Sequence, residues 1–180
     1  LFNIHTLRWD EELCALYGIP VQALPQVYMS DGVFGTTDLG GFLKRAVPVC
    51  GVLGDSHGAL LGQGCFVPGT VKATYGTGSS VMMQTGDACI ESTRGLVTSL
   101  AWGLSGQVNY VLEGNLNYTG AVITWLKKEV GLLQTDAESE QLARQAHPGD
   151  RTYFVPAFTG LGAPYWDSEA PGLLTGITPT

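Results

Sequence analysis

Charge is scarce in this chain of 180 residues: Asp, Glu, Lys and Arg make up 14% of it, against 44% hydrophobic residues. A solvated, disordered polypeptide needs the reverse balance, so the composition fits a buried α/β interior instead. Positive charge is scarcest. Nine Lys and Arg against 16 Asp and Glu leave a formal net charge of −7, which argues against a nucleic-acid footprint or a membrane-surface patch. No apolar run reaches the roughly 18 residues of a transmembrane helix, and no basic segment leads into an apolar stretch as in a signal peptide. The four cysteines, Cys14, Cys50, Cys65 and Cys89, include no C-x-x-C pair, so the spacing of a zinc site is missing. They read as reduced, mostly buried thiols of a cytoplasmic protein. The sequence begins at Leu1 without Met and stops just after Gly172-Leu173-Leu174-Thr175-Gly176-Ile177-Thr178, itself the start of a strand or turn. It reads as a fragment of a longer protein.

What is present is a succession of short elements punctuated by dispersed glycine and proline. Residues 1–18 read as a helix, with acidic residues at Asp10, Glu11 and Glu12, an apolar face of Leu13, Leu16 and Tyr17, and a stop at Gly18. Loops and short strands follow through Pro48. Val47 to Leu53 reads as a buried strand delivering Asp55 at its end, and residues 56–64 as a helix packed tightly through Gly58, Ala59 and Gly62. Residues 71–84 read as a β-hairpin turning at Gly76-Thr77-Gly78. Strands at 96–102 and 107–113 are joined by Leu104-Ser105-Gly106. Helices are expected at 117–130, with Val122, Ile123, Leu126 and Val130 on one face, and at 136–144, a polar helix with a solvated face. Thr152 to Pro156 reads as a strand, and Phe158 to Trp166 as a glycine-rich loop.

Two runs carry chemistry: Gly54-Asp55-Ser56-His57-Gly58 and, one helix and one strand later, Thr74-Tyr75-Gly76-Thr77-Gly78-Ser79. A lone acid beside glycines can take a proton from a hydroxyl. A Gly-Thr-Gly turn can cradle a phosphate with its backbone N–H groups. Together they point to phosphoryl transfer from ATP to an alcohol. Asp55 equally suits a helix cap, and the turn alone could close any hairpin. The string Gly54-Asp55-Ser56 also invites a serine esterase, but no Asp-x-x-His follows it, so a triad is hard to assemble.

Leu1-Phe2-Asn3-Ile4-His5-Thr6-Leu7-Arg8-Trp9-Asp10, the Gly54 to Gln63 run, Thr74 to Gly78, Leu112-Glu113-Gly114 and Val155 to Asp167 together resemble the glycerol kinase branch of the FGGY carbohydrate kinases. The resemblance implies an α/β, actin/hexokinase-like (ribonuclease H-like) ATPase fold, here incomplete. Residues 1–65 would be the C-terminal part of the first FGGY kinase domain and 66–180 the N-terminal part of the second. It implies ATP-dependent phosphorylation of a polyol or sugar, glycerol to glycerol 3-phosphate first among them. Asp55 matches the family's base and touches substrate. Gly76, Thr77 and Gly78 match its phosphate-binding turn, and Gly120 a glycine that contacts the nucleotide. Thr124 stands where glycerol kinases carry a nucleotide-contacting Gln. Mg²⁺ would bridge the phosphates, with no residue of the chain assigned as a metal ligand in its own right.

Ser56 and His57 depart from that pattern. Glycerol kinases carry two Gln residues there, and the first binds the polyol. Ser56 is shorter and leaves space for a ketose such as xylulose or for a longer polyol. His57 is either a substrate ligand or a packed helix histidine, and Gly120 either a nucleotide contact or a close-packing glycine. Trp166 and Asp167 read as structural, and His5 and His147 as ordinary loop histidines. The expected partner is a small-molecule polyol or sugar, and a homo-oligomer, dimer or tetramer, is compatible with the resemblance. A non-catalytic isolated fragment is the alternative from another class.

Overall fold

The first ten residues form a small hairpin rather than the first turns of a helix. In the computed structural model, which describes residues 1–178, β1 (Phe2–Asn3) pairs antiparallel with β2 (Arg8–Trp9). Asn3 explains the turn: its side-chain carbonyl accepts from the His5 and Thr6 amides, an Asx geometry that competes with helix. The Phe2 and Trp9 rings then meet edge to face at 5.3 Å. Helix α1 spans only Glu11–Leu16. Gly18 ends it as expected, with φ +66°, the Gly18 amide on Ala15 and the Ile19 amide on Cys14, a Schellman close. The predicted apolar face is wrong: Cys14 is the buried residue, and Leu16 is 76% exposed.

The chain divides into two compact units, the first made of Leu1–Lys72, Met83–Glu91 and Thr98–Leu112, the second of Ala73–Met82, Ser92–Val97 and the chain from Glu113 on. In the first, β3 (Gly35–Thr37) pairs antiparallel with β4 (Val47–Val49). The expected buried strand to Leu53 is not formed. Pro48 removes a ladder donor, Val47 and Val49 are exposed, and beyond them the Val52 amide turns to the Ser30 carbonyl. Helix α2 is Asp55–Gly62, with Leu60 fully buried. Its glycines do not mark tight packing. A Cβ at Gly62 would meet nothing within 4 Å.

The strands β5 (Val71–Tyr75), β6 (Ser79–Gly86), β7 (Val97–Leu104) and β8 (Gln107–Leu116) form one sheet in the order β5-β6-β8-β7. Ser105 and Gly106 both have positive φ, 52° and 80°, which is the type I′ turn that suits a two-residue β-hairpin connection. In the first unit the core gathers Cys14, Leu60, Cys65, Ala101, Trp102 and Val111. Gln84 is also fully buried there, satisfied by Asn109 and by the Gly86 amide.

The second unit holds α3 (Gly120–Lys128), α4 (Ala137–Gln145), and β9 (Tyr153–Val155) paired antiparallel with β10 (Leu173–Thr175). Trp125 stacks on Phe154 at 5.4 Å and tilts against Phe158 at 5.0 Å, and Tyr118 meets Phe158 edge to face. This aromatic cluster fixes the inner face of α3. Of the cysteines, all four are free, but only Cys14 and Cys65 are buried; Cys50 is exposed and Cys89 half-buried. No helix among the described residues is long and apolar enough to cross a membrane.

Candidate functional site

In the first unit, Asp55 is the first residue of α2, and the cap before it is Gly54, which has no side chain to offer. Asp55 therefore does not cap the helix from outside. Its Oδ1 accepts from the next amide, Ser56, at 2.7 Å, and the carboxylate is exposed, with no other hydrogen bond among the described residues. Such a group is tethered at one oxygen and open at the other. Ser56 is half-buried, and its hydroxyl bonds to no histidine among the described residues, so nothing assembles a serine nucleophile.

His57 is a packed histidine. Its Nε2 shares a hydrogen bond of 3.5 Å with the Ser99 hydroxyl, and its Nδ1 lies 3.3 Å from where a Cβ on Gly54 would sit. With Tyr28, Met29, Ser30 and Trp102 it lines a cavity of about 390 Å³ within the first unit, and neither Asp55 nor Ser56 is on that lining.

In the second unit, the Gly76-Thr77-Gly78 turn and the start of α3 are joined by backbone. The Gly120 amide donates to the Gly76 carbonyl at 2.9 Å, and the Thr119 and Ala121 amides donate to the Thr77 carbonyl at 3.0 and 3.1 Å. The first N–H groups of α3 are thus taken by the turn, so the Thr119, Gly120 and Ala121 amides are not free to meet a phosphate. Planarity of the peptide gives the consequence. With the Gly76 and Thr77 carbonyls drawn toward α3, the Thr77 and Gly78 N–H groups point the other way. Neither amide donates to a backbone carbonyl among the described residues. Two successive amides thus face away from α3 beside the exposed Thr77 hydroxyl, an arrangement that can receive an anion.

Glycine is required at two of these positions. A Cβ on Gly120 would lie 2.5 Å from the Gly76 carbonyl oxygen, and one on Gly78 2.7 Å from that of Leu116. The close approach of the Gly76 carbonyl is by itself a reason for glycine at 120. Thr124 is exposed one helical turn further on, so the structure places it on the same face as Gly120. The loop residues serve their loop: the Trp166 indole donates to the Gly95 carbonyl, and the Asp167 carbonyl accepts from Leu161. His5 meets Glu91 at 3.5 Å, and His147 accepts from the Gly149 amide. Sequence reasoning missed two residues at this turn, Ser79 and Thr119, whose hydroxyls are 2.9 Å apart. They lie 40 positions apart, and no local pattern joins them.

The model of the C-terminal domain of the FGGY family of carbohydrate kinases matches residues 71–180, and that of the N-terminal domain residues 1–62. The chain belongs to the FGGY family of carbohydrate kinases. A glycerol kinase of Carboxydothermus hydrogenoformans is 48% identical over 178 residues, covering 99% of this chain and 36% of that protein. One of Haloferax volcanii is 50% identical over 181 residues, covering 99% of the chain and 35% of the relative. The crystal structure of Plasmodium falciparum glycerol kinase with ADP matches with TM-score 0.87 and 33% identity, over 99% of this chain and 36% of that one. A ligand-bound xylulose kinase of Lactobacillus acidophilus, 22% identical with TM-score 0.80 over 98% and 36%, shares the fold. That fold is the expected one, the actin/hexokinase-like α/β fold of FGGY kinases. The chain spans about a third of the length of the FGGY kinases it matches.

Proposed function

We propose that the chain is part of an ATP-dependent glycerol-type kinase that converts glycerol to glycerol 3-phosphate. The observation that carries this reading is the pair of outward amides at Thr77 and Gly78, in a chain about half identical to glycerol kinases along nearly its whole length. Phosphoryl transfer asks the protein mainly for positioning and charge stabilisation. The open oxygen of Asp55 orients the acceptor hydroxyl and takes its proton as the acceptor oxygen bonds to the terminal phosphorus of ATP and the bond from that phosphorus to the bridging oxygen breaks, releasing ADP. The Gly76–Gly78 amides and the Thr77 hydroxyl hold the transferring phosphoryl group, and Gly120 and Thr124 flank the nucleotide. Ser56, beside Asp55, contacts the acceptor.

The donor set suits Mg²⁺ in the form in which phosphates carry it. No cluster of three or more His, Cys, Asp or Glu that could cage a metal exists among the described residues, and Mg²⁺ keeps most of its waters and takes one or two carboxylates plus substrate phosphates. Mg²⁺ would be held by the phosphates of ATP with Asp55 as base near it, and it would neutralise phosphate charge.

Residues 1–65 and 66–180 are assigned to the first and second kinase domains, and activity to the full-length protein rather than to this stretch alone. The net charge of −7 suits a small-molecule substrate rather than nucleic acid, and the four free cysteines suit the cytoplasm. A homo-oligomer is part of the same reading. A second reading, a kinase for xylulose or a longer polyol, is favoured by one observation: the half-buried Ser56 is a short side chain at the acceptor position. ADP release by the full-length protein across glycerol, erythritol, D-xylulose, L-ribulose and gluconate decides between them. Turnover of glycerol alone supports the first reading; turnover of a ketose or longer polyol instead replaces it with the second.

A further inference from the structure

We propose that Ser79 and Thr119 form a hydroxyl relay that holds the Gly76–Gly78 turn in its phosphate-binding shape, which makes both of them positioning residues for ATP. This rests on the reading of that turn as the phosphate cradle. Thr119 stands at the N-cap of α3, where a threonine ordinarily bonds the amides of its own helix. It makes no such bond. Its backbone is neither helical nor extended, with φ −138° and ψ −86°, and its hydroxyl instead donates to the Gly76 carbonyl at 3.0 Å. A hydroxyl has one proton. With that proton on Gly76, the Thr119 oxygen must accept from Ser79, 2.9 Å away. The chain of donors therefore runs Ser79 to Thr119 to Gly76.

Ser79 is only 6% exposed, so its proton has no ready alternative in bulk water. The Gly76 carbonyl takes two donors, the Gly120 amide and the Thr119 hydroxyl. Each additional donor on that carbonyl stiffens the peptide plane whose other edge is the Thr77 N–H. The relay thus fixes the direction of an amide that neither hydroxyl touches. Its two links are unequal. Losing the Ser79 hydroxyl leaves Thr119 still donating to Gly76. Losing the Thr119 hydroxyl leaves the carbonyl with the Gly120 amide alone and also leaves the buried Ser79 without its acceptor, the costlier fault.

The test uses the full-length protein with Thr119→Val, Thr119→Ser, Ser79→Ala and the double variant Ser79→Ala/Thr119→Val. ATP dissociation constants come from calorimetry, alongside the acceptor KM and thermal midpoint of each variant. Thr119→Val is expected to weaken ATP binding about tenfold and Ser79→Ala about threefold. The double variant is no weaker than Thr119→Val, because Ser79 acts through Thr119. Thr119→Ser keeps the hydroxyl and stays within about twofold of the parent, while the acceptor KM is unmoved throughout. ATP binding unchanged in Thr119→Val and Ser79→Ala overturns the relay and leaves the kinase reading intact. So does equal loss in Thr119→Ser and Thr119→Val, which marks a packing role. If Thr119→Val fails to fold, Ser79→Ala and Thr119→Ser decide. A parent protein that binds no ATP overturns the reading of the turn and the relay with it.

Discussion

Helix α2 carries the acid proposed for proton transfer and helix α3 braces the turn proposed for phosphate binding, and the two helices begin in opposite ways. At α2 the cap is a glycine and the first residue is Asp55, whose exposed carboxylate is tied, among the described residues, only to its neighbour's amide. At α3 three successive amides and a threonine hydroxyl are all bonded to the carbonyls of a preceding turn. The first start leaves a side chain free to act; the second leaves no side chain to act but a stiff backbone. The difference suits the chemistry proposed for the two elements. A base must reach a proton and release it. Stabilising a phosphoryl group is best done by dipoles that are already in place and do not reorganise.

Replacing the side chain at one start and filling the gap at the other are the strongest ways to break this contrast. Asp55→Asn keeps an oxygen for the Ser56 amide but removes the proton acceptor. In the full-length protein kcat should fall by about 10³-fold, with the ATP dissociation constant unchanged. Near-normal turnover would sink the base assignment. Gly120→Ala attacks the other start, because the new methyl would sit 2.5 Å from the Gly76 oxygen. The turn must move, at a cost of about 1–3 kcal/mol in urea denaturation, and ATP binding should weaken while the acceptor KM holds. If neither stability nor ATP affinity changes, the turn is not the rigid element described.

The contrast was only half legible in the sequence. Asp55 could be singled out because a lone acid between glycines is a local signal. The sheet was legible for the same reason: alternating runs and the Ser105-Gly106 turn mark β7 and β8 within a few residues. What failed depended on partners distant along the chain. Periodicity over residues 1–18 promised one helix, yet Asn3 and the Phe2–Trp9 ring pair fold its first half into a hairpin. The run Val47–Leu53 is apolar, but Pro48 and a short, exposed partner strand keep it from being a core strand. Helix α3 begins at Gly120 rather than near Asn117 because the turn at Gly76 and Thr77 claims its first amides. The family match at 1–62 and 71–180 agrees with the resemblance carried by the motifs, which drew on many positions at once.

A milder change sharpens the same comparison at a second helical glycine. Gly58, three residues into α2, has only the Leu53 Cβ at 3.9 Å from where its own Cβ would be, an ordinary contact. Gly58→Ala should therefore stabilise the protein by about 0.5–1 kcal/mol, since glycine in a helix interior loses more backbone freedom on folding than alanine. The urea midpoint checks it. A loss of stability would show that α2 is as tightly gripped as the start of α3.

The smallest expected effect lies at a third helix start, and it separates a charged cap from a cap as such. Helix α1 has what α2 lacks, a side-chain cap: Asp10 accepts from the Leu13 amide at 3.0 Å, and the Asn3 side chain donates to its other oxygen at 3.3 Å. The Leu13 amide first, and Asn3 second, hold the Asp10 carboxyl below the ordinary carboxylate range. A carboxyl lowered in the folded state favours folding above its unfolded value of about 3.9, and that contribution is lost as pH falls through the folded value. Asp10→Asn keeps a capping oxygen but cannot titrate. The thermal midpoint of the parent should exceed that of Asp10→Asn by a small, constant margin from pH 7 to about 5. That margin should close as the pH drops below about 4. A margin that persists unchanged to pH 3 would mean that the charge on Asp10 contributes nothing and that its geometry alone starts the helix.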